Sequence, residues 1–252
     1  MRDENRDAKR AQKRMIRRNR RLVVFLLILV CVSAGLVVFK TNLLVIKKFE
    51  YPASVYFSDS DIIKYGELTE KSMFFNVAPT LLENKIIKHP YVKSVKITKH
   101  FPDQLELDIE YREELVAIGY SGLFVTIDDT LTVLKVEESV GDIFLIDGFE
   151  FKSFNIGEEL KVEEAKVLRR TVQLISLLKN SHIEAKPYIR YDNGIELLIN
   201  DAYRVRFGKG QDIERKFNNF VDIYEVLSEK GVQSGIIDVS HNGLPIFKPF
   251  GQ

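Results

Sequence analysis

The sequence has one cysteine, Cys31, and only 14 glycines and 7 prolines among 252 residues. A single cysteine excludes an intramolecular disulfide framework and a metal site built from several thiolates. The ordinary glycine and proline content, with 45% hydrophobic and 29% charged residues, excludes disorder throughout the chain. The length allows one large domain or two small ones, each able to bury a core.

The residue patterns of common active sites are also missing. The four histidines lack metal-ligand spacing, and no G-x-S-x-G nucleophile elbow occurs. The loop FGKGQD (207–212) lacks the Walker pattern, so it is interpreted as a hairpin exit in which Asp212 caps the next helix. Acid pairs such as Asp128-Asp129 are interpreted as solvated structural charge rather than glycosidase carboxylates. The sequence therefore predicts no catalytic residue, no cofactor and no metal.

The net charge of +1 hides a strong asymmetry. Residues 1–21 contain ten Arg or Lys and three acids, a net charge of +7, which leaves 27 basic and 33 acidic groups in the rest of the chain. A basic tail can bind nucleic acid, but this one has no interleaved aromatic residues. The apolar run directly after the tail favours a role in membrane topology instead, so no nucleic-acid partner is predicted.

This uncharged run spans 18 residues, Leu22 to Phe39. As a helix it is about 27 Å long, close to the hydrocarbon thickness of a bilayer. Arginines before such a span hold that end in the cytoplasm, which predicts a single-pass protein with its body outside. The alternative is a signal peptide cleaved after Val32-Ser33-Ala34, although the apolar run continues past that point.

Residues 43–111 show the pattern strand, helix, helix, strand, strand. Residues 45–51 predict a strand, Ser58 or Ser60 caps a short helix that ends at Gly66, and a second helix begins at Pro79. In the last strand Leu105, Leu107 and Ile109 share one face, which predicts a hairpin with one wet face.

Residues 112–250 are rich in short strands. Four of them, at 115–120, 123–128, 131–136 and 143–147, are predicted to pair in antiparallel fashion. Helices are predicted over 162–179 and 212–230, each with one apolar stripe. The final strand, 244–250, contains two prolines, which are tolerated at a sheet edge but not in its centre.

The segment KHPYVKSVKITKHFPDQLELDIEYREELVA (88–117) resembles the end of the POTRA domain in the cell-division family FtsQ/DivIB. A second segment, RFGKGQDIERKFNNFVDIYEVLSEKGVQSGIIDVS (206–240), resembles the end of the β domain of the same family. The chain departs from the family at Leu115, where the family often has proline, and at Ser240 and His241, where a basic residue is common.

The resemblance implies an α+β protein with a cytoplasmic tail (1–21), one transmembrane helix (22–39), a POTRA domain of β-α-α-β-β order (43–111) and a mainly antiparallel β domain with two helices (112–250). It implies a non-catalytic scaffold at the division septum. Its expected partners are bitopic proteins of the FtsB (or DivIC) and FtsL type, the lipid bilayer and septal wall synthases.

Partner contact is predicted at the final strand, because an edge strand can be extended by an incoming segment. The candidate residues are Ile246, Phe247 and Phe250 for apolar contact and Lys248 for an acid.

Two alternatives to the scaffold function remain open. One is a membrane-tethered extracytoplasmic hydrolase, and the other is a secreted chaperone-like POTRA module.

Overall fold

The structure is a computed structural model that describes residues 20, 22–33, 35–37, 40, 43–183, 188–199 and 202–250. Described residues between 22 and 37 are helical, but no helix in the described part of the chain is long and apolar enough to cross a membrane. The predicted span includes residues 34, 38 and 39, which lie outside the described residues. Tail residues 1–19 and 21 also lie outside them, as does the predicted cleavage residue Ala34.

The first five elements follow the predicted order. They are β1 (Lys48–Glu50), α1 (Asp59–Gly66), α2 (Pro79–Ile86), β2 (Val92–His100) and β3 (Gln104–Tyr111). They form a three-stranded sheet of order β1-β3-β2, with β1 parallel to β3. The β-α-α-β-β prediction is therefore confirmed, although β1 is shorter than the predicted strand.

Local chemistry explains the bounds of α1. Ser58 occupies the N-cap, and its backbone N–H donates to Asp61 Oδ2 at 2.9 Å. The helix ends at Gly66, as predicted, but it is Glu67 rather than Gly66 that adopts the left-handed conformation. Gly66 is needed for packing instead, since a Cβ there would lie 2.5 Å from Leu82 Cδ1.

The predicted alternation in β3 is confirmed. Leu105, Leu107 and Ile109 are at most 5% exposed, while the residues between them are exposed. One face of this strand is thus buried and the other is wet.

The second set of elements builds one nine-stranded sheet with two helices. The strands are β4 (Val116–Tyr120), β5 (Leu123–Ile127), β6 (Val133–Glu137), β7 (Phe144–Asp147), β8 (Tyr188–Tyr191), β9 (Ile195–Ile199), β10 (Tyr203–Gly208), β11 (Gly235–Asp238) and β12 (Ile246–Pro249). The helices are α3 (Ala165–Lys179) and α4 (Ile213–Glu229). The strand order is β12-β11-β10-β9-β8-β7-β4-β5-β6.

The sheet is mainly antiparallel, as predicted, but one predicted pairing is wrong. β7 does not pair with β6; it runs parallel to both of its neighbours, β4 and β8. The beginning of the outer edge of β6 is already occupied, because Val133 N–H donates to Glu158 O at 2.9 Å and Gly157 N–H donates to Val133 O at 2.8 Å. β7 therefore joins the free edge of β4. β10 and β11 are also parallel.

The apolar stripes of the two helices enter one core with the sheet. In α3, Leu168, Val172, Ile175 and Leu178 are at most 3% exposed. In α4, Phe220 is fully buried and Ile213, Phe217 and Leu227 are at most 7% exposed. Both helix predictions are confirmed, with starts at Ala165 and Ile213.

Contacts divide the chain into two compact units. The first combines Ser58–Asn84 and Lys96–Asp108 with the described residues up to Ala53. The second combines Ser54–Phe57 and Lys85–Val95 with the chain from Ile109 onward. The domain boundary between residues 111 and 112 stays a prediction.

Candidate partner-binding edge

β12 lies at one end of the nine-stranded sheet, as an edge strand should. It pairs antiparallel with β11, in a register that runs from Gly235↔Pro249 to Asp238↔Ile246. No other strand in the described residues pairs with its outer side. Ile246 is 47% exposed and Phe250 is 48% exposed, and Lys248 is also exposed. Three of the four predicted contact residues are therefore accessible at the edge.

Phe247, the fourth predicted residue, points the other way. Its side chain is partly buried and packs against the core. The ring lies over Gly235, where a Cβ would be only 2.5 Å from Phe247 Cε2. Glycine at 235 thus lets β12 lie close to β11. Phe247 holds the strand in place, so a charged substitution there would disturb the fold as well as any contact.

A buried lysine on α4 positions the connection that leads to β12. Lys216 is 1% exposed, and its Nζ donates to Phe207 O at 3.0 Å and to Ser240 O at 2.6 Å. Burial lowers the pKa of this lysine, because the ammonium group loses its hydration. These bonds tie the ends of β10 and β11 to one helix.

Two further bonds fix the turn after β11. Ser240 N–H donates to Asp238 Oδ1 at 2.9 Å, and Arg215 Nη2 donates to Asn242 Oδ1 at 2.9 Å. Partial burial of Asp238 opposes ionisation, but the Ser240 hydrogen bonds outweigh it and hold the pKa of this carboxyl below its ordinary value. Asp238 thus stays ionised and the turn stays closed at neutral pH.

A basic cluster lies on the same sheet, on strands β8 to β10. Glu196 on β9 accepts from Arg190 Nη2 at 2.9 Å and Arg206 Nε at 3.0 Å, and Arg204 Nε lies 4.0 Å away. Burial opposes the ionisation of Glu196, but bonds from Arg190 and Arg206 lower its pKa. One carboxylate against three guanidinium groups leaves a net charge of +2. The Nε atoms of Arg190 and Arg204 are buried and have no hydrogen-bond partner.

At the other end of the sheet, the beginning of β6 is hydrogen-bonded to a further segment of the chain. Besides the bonds at Val133, Leu160 N–H donates to Leu131 O at 2.8 Å, so residues 157–160 run along the beginning of β6. Edge strands that are covered in this way cannot add a strand there. The asymmetry favours β12 as the edge that receives a partner.

The sequence analysis also considered histidines and acidic residues as possible site residues. Among the described residues no group of His, Cys, Asp and Glu could hold a metal ion. A cavity of about 570 Å³ beside Arg112 and Lys179 contains charged side chains of both signs but no histidine or cysteine.

Two interpretations of acidic residues need correction. Asp212 occupies the N-cap of α4, but its side chain makes no capping hydrogen bond, and its backbone is left-handed where a capping residue is ordinarily extended. Asp128 is fully buried rather than solvated: Arg112 Nη1 donates to its Oδ2 at 2.6 Å, and the N–H groups of Thr130 and Thr132 donate to its Oδ1.

Comparison with known proteins shows which proteins this chain is similar to. A family model for the POTRA domain of FtsQ type matches residues 47–112. Cell division protein DivIB of Clostridium botulinum is 30% identical over 194 residues, which cover 75% of this chain and 73% of the relative. DivIB of Solibacillus silvestris is 26% identical over 209 residues, covering 81% of this chain and 69% of the relative.

Solved structures also match the chain, and one of them is a structure of a DivIB domain. It is the major extracytoplasmic domain of DivIB from Geobacillus stearothermophilus, 14% identical, with a TM-score of 0.29, covering 40% of this chain and 82% of that chain.

Proposed function

Because this chain belongs to the FtsQ/DivIB family of bacterial cell-division proteins, we propose that it is a non-catalytic scaffold of the division machinery. It holds partner proteins at the septum through its extracytoplasmic body and thereby helps to control septal peptidoglycan synthesis. The apolar run 22–39 is its single membrane anchor, with the basic tail in the cytoplasm.

The partners are bitopic division proteins of the FtsB (or DivIC) and FtsL type, and septal wall synthases are further candidates. The single observation that carries the proposal is the unequal state of the two sheet edges: residues 157–160 are bonded to the beginning of β6, while β12 has no strand on its outer side in the described residues. A partner segment adds to β12 as a further strand, about 4.8 Å away.

Side chains at this edge give the contact its selectivity. Ile246 offers exposed apolar surface, and Lys248 offers a positive charge two residues along on the same face. Phe250, just beyond the strand, adds a half-exposed ring. We expect the partner strand to carry an apolar residue opposite Ile246 and an acid near Lys248.

The test is a crosslinked pull-down from dividing cells that carry the full-length chain. Ile246→Asp and Lys248→Glu should each lower recovery of the partner about tenfold, equivalent to roughly 1.4 kcal/mol. A chain that ends at Asn242 should lose the partner altogether. Val226→Asp is the matched control, because Val226 is 44% exposed on α4, away from the strand.

Thermal unfolding of each variant separates loss of contact from loss of fold. The proposal fails if Ile246→Asp and Lys248→Glu melt like the wild type and still recover the partner in full.

A further inference from the structure

Two large aromatic side chains in the first unit are exposed and lie together. Phe75 is 67% exposed and Phe101 is 69% exposed, with 6.5 Å between their ring centroids. Both rings contact Phe74, which is 7% exposed, at centroid distances of 5.5 and 5.9 Å. Contiguous exposed aromatic surface of this kind marks an interaction site more often than a solvent-facing one.

The position of these rings along the chain indicates what covers them. Phe74 N–H donates to Leu44 O at 2.7 Å, Ile46 N–H donates to Ser72 O at 3.0 Å, and Val45 forms an antiparallel bridge with Met73. The segment after the proposed anchor is thus bonded directly to the chain that carries Phe75. Four residues (40–43) lie between Phe39, where the proposed anchor ends, and Leu44, and the five Cα–Cα steps span at most about 18 Å.

A lysine side chain lies against one of these three rings. Lys99 Nζ lies 4.4 Å from the centroid of Phe74 and donates to Val77 O at 2.9 Å. Leu43, at the start of the bonded segment, is 46% exposed. Phe and Leu together with Lys are residue types that interfacial segments place at the boundary between lipid headgroups and acyl chains.

We infer that Phe75 and Phe101 insert into the headgroup region of the membrane that holds the anchor, so that the first unit lies against phospholipid. This inference rests on the anchoring part of the proposed function. The contact can be weak and still persist, because the short connection keeps the rings at a high effective concentration near the surface. The headgroup region on one side of a bilayer is about 5–8 Å thick, enough to receive a phenyl ring.

The test uses the absence of tryptophan from the sequence. Single variants Phe75→Trp, Phe101→Trp, Phe25→Trp and Ile63→Trp of the full chain are placed in phosphatidylcholine and phosphatidylglycerol vesicles, with and without brominated lipid. Phe25 lies inside the proposed anchor, and Ile63 is 46% exposed on α1. Quenching at residues 25, 75 and 101, with at least threefold less quenching at residue 63, is expected.

Other patterns overturn the inference in distinguishable ways. Quenching at residue 25 with residues 75 and 101 no more quenched than residue 63 leaves the anchor standing and removes the lipid contact. Equal quenching at residues 63 and 75 indicates general adsorption and also overturns it. No quenching at residue 25 shows that the anchor itself is wrong, and the inference falls with it.

Discussion

Lys216 Nζ lies 2.6 Å from the carbonyl oxygen of Ser240, which joins α4 to the chain between β11 and β12. Among the described residues no carboxylate forms a salt bridge with Lys216, and burial disfavours its charge because the ammonium group loses its hydration. Here two backbone carbonyls replace the lost water. Lys216 bonds both carbonyls at once, so the candidate edge and the core are linked through one side chain.

Replacing Lys216 should therefore loosen the sheet beside β12. Lys216→Met keeps most of the side-chain volume but removes the Lys216 donor from Ser240 O, while Phe207 O keeps its bond from Gly210 N–H at 3.3 Å. Urea unfolding should show a loss of about 1–3 kcal/mol, the cost of one unsatisfied buried carbonyl. Lys230→Met, at an exposed position, is the control and should change little. An unchanged unfolding midpoint for Lys216→Met would contradict this role.

Alanine substitutions at the neighbouring residues Asp128 and Asp129 should have very different effects on stability. The Asp128 side chain is 1% exposed and pairs with Arg112, whereas the Asp129 side chain is 58% exposed. Asp128→Ala removes the carboxylate that neutralises Arg112 and leaves two backbone N–H groups without their acceptor, so we expect a loss of about 3–5 kcal/mol. Asp129→Ala should stay within about 0.5 kcal/mol of the wild type. Equal effects in denaturant unfolding would argue against the buried pair.

Acid should weaken the fold partly through Glu114. Its burial opposes ionisation, but hydrogen bonds from Lys135, Tyr91 and Tyr56 prevail, so its pKa lies below the ordinary value of 4.5. A lowered pKa means that the ionised form stabilises the fold above pH 4.5 and that this contribution is lost as the pH falls further.

The corresponding measurement compares unfolding free energies across pH. The wild type should exceed Glu114→Gln at neutral pH, and the difference should shrink below pH 4.5. Glu137→Gln is the control, because its side chain is 47% exposed and its pairing with Lys135 is screened by water. A difference for Glu114→Gln that stays constant at all pH values would be inconsistent with this assignment.

Two strand glycines offer a matched pair of substitutions. A Cβ at Gly235 would lie 2.5 Å from Phe247 Cε2 and 2.6 Å from Lys248 O, whereas a Cβ at Gly119 meets nothing within 4 Å. Gly235→Ala should displace β12 and speed amide exchange over 246–249, with a loss of about 1–3 kcal/mol from overpacking. Gly119→Ala should be neutral or slightly stabilising. Equal exchange of β12 in both variants would show that the close approach is unimportant.

Much of the fold could be predicted because its signals are local. The alternation of Leu105, Leu107 and Ile109 identifies the buried face of β3, and steps of three and four residues identify the stripes of α3 and α4. The prolines at 245 and 249 predicted an edge strand, and β12 is one. Each of these patterns lies within a few neighbouring residues.

The parts of the fold and of the candidate site that could not be predicted depend on contacts between residues far apart in the sequence. Nothing next to Lys216 in sequence shows that the carbonyls of Phe207 and Ser240 meet it, and nothing next to Asp128 shows that Arg112 arrives there. β7 pairs with β4 rather than with β6, and the first residue of β6 is bonded instead to residues 157–158, which follow β7 by ten residues or more. The cluster around Glu196 likewise requires the register of three strands.

The cover over β6 also limits how copies of this chain can associate. A sheet with two exposed edges can join other sheets on both sides and grow into a ribbon without end, the first step toward fibres. Residues 157–160 are bonded along the beginning of β6, so this end of the nine-stranded sheet is partly blocked, and a pair of copies joined through β12 would use up the unpaired end strand of both molecules. Further growth through this sheet would then be hindered. A protein concentrated at one site in the cell could in this way keep an edge ready for a partner without forming aggregates.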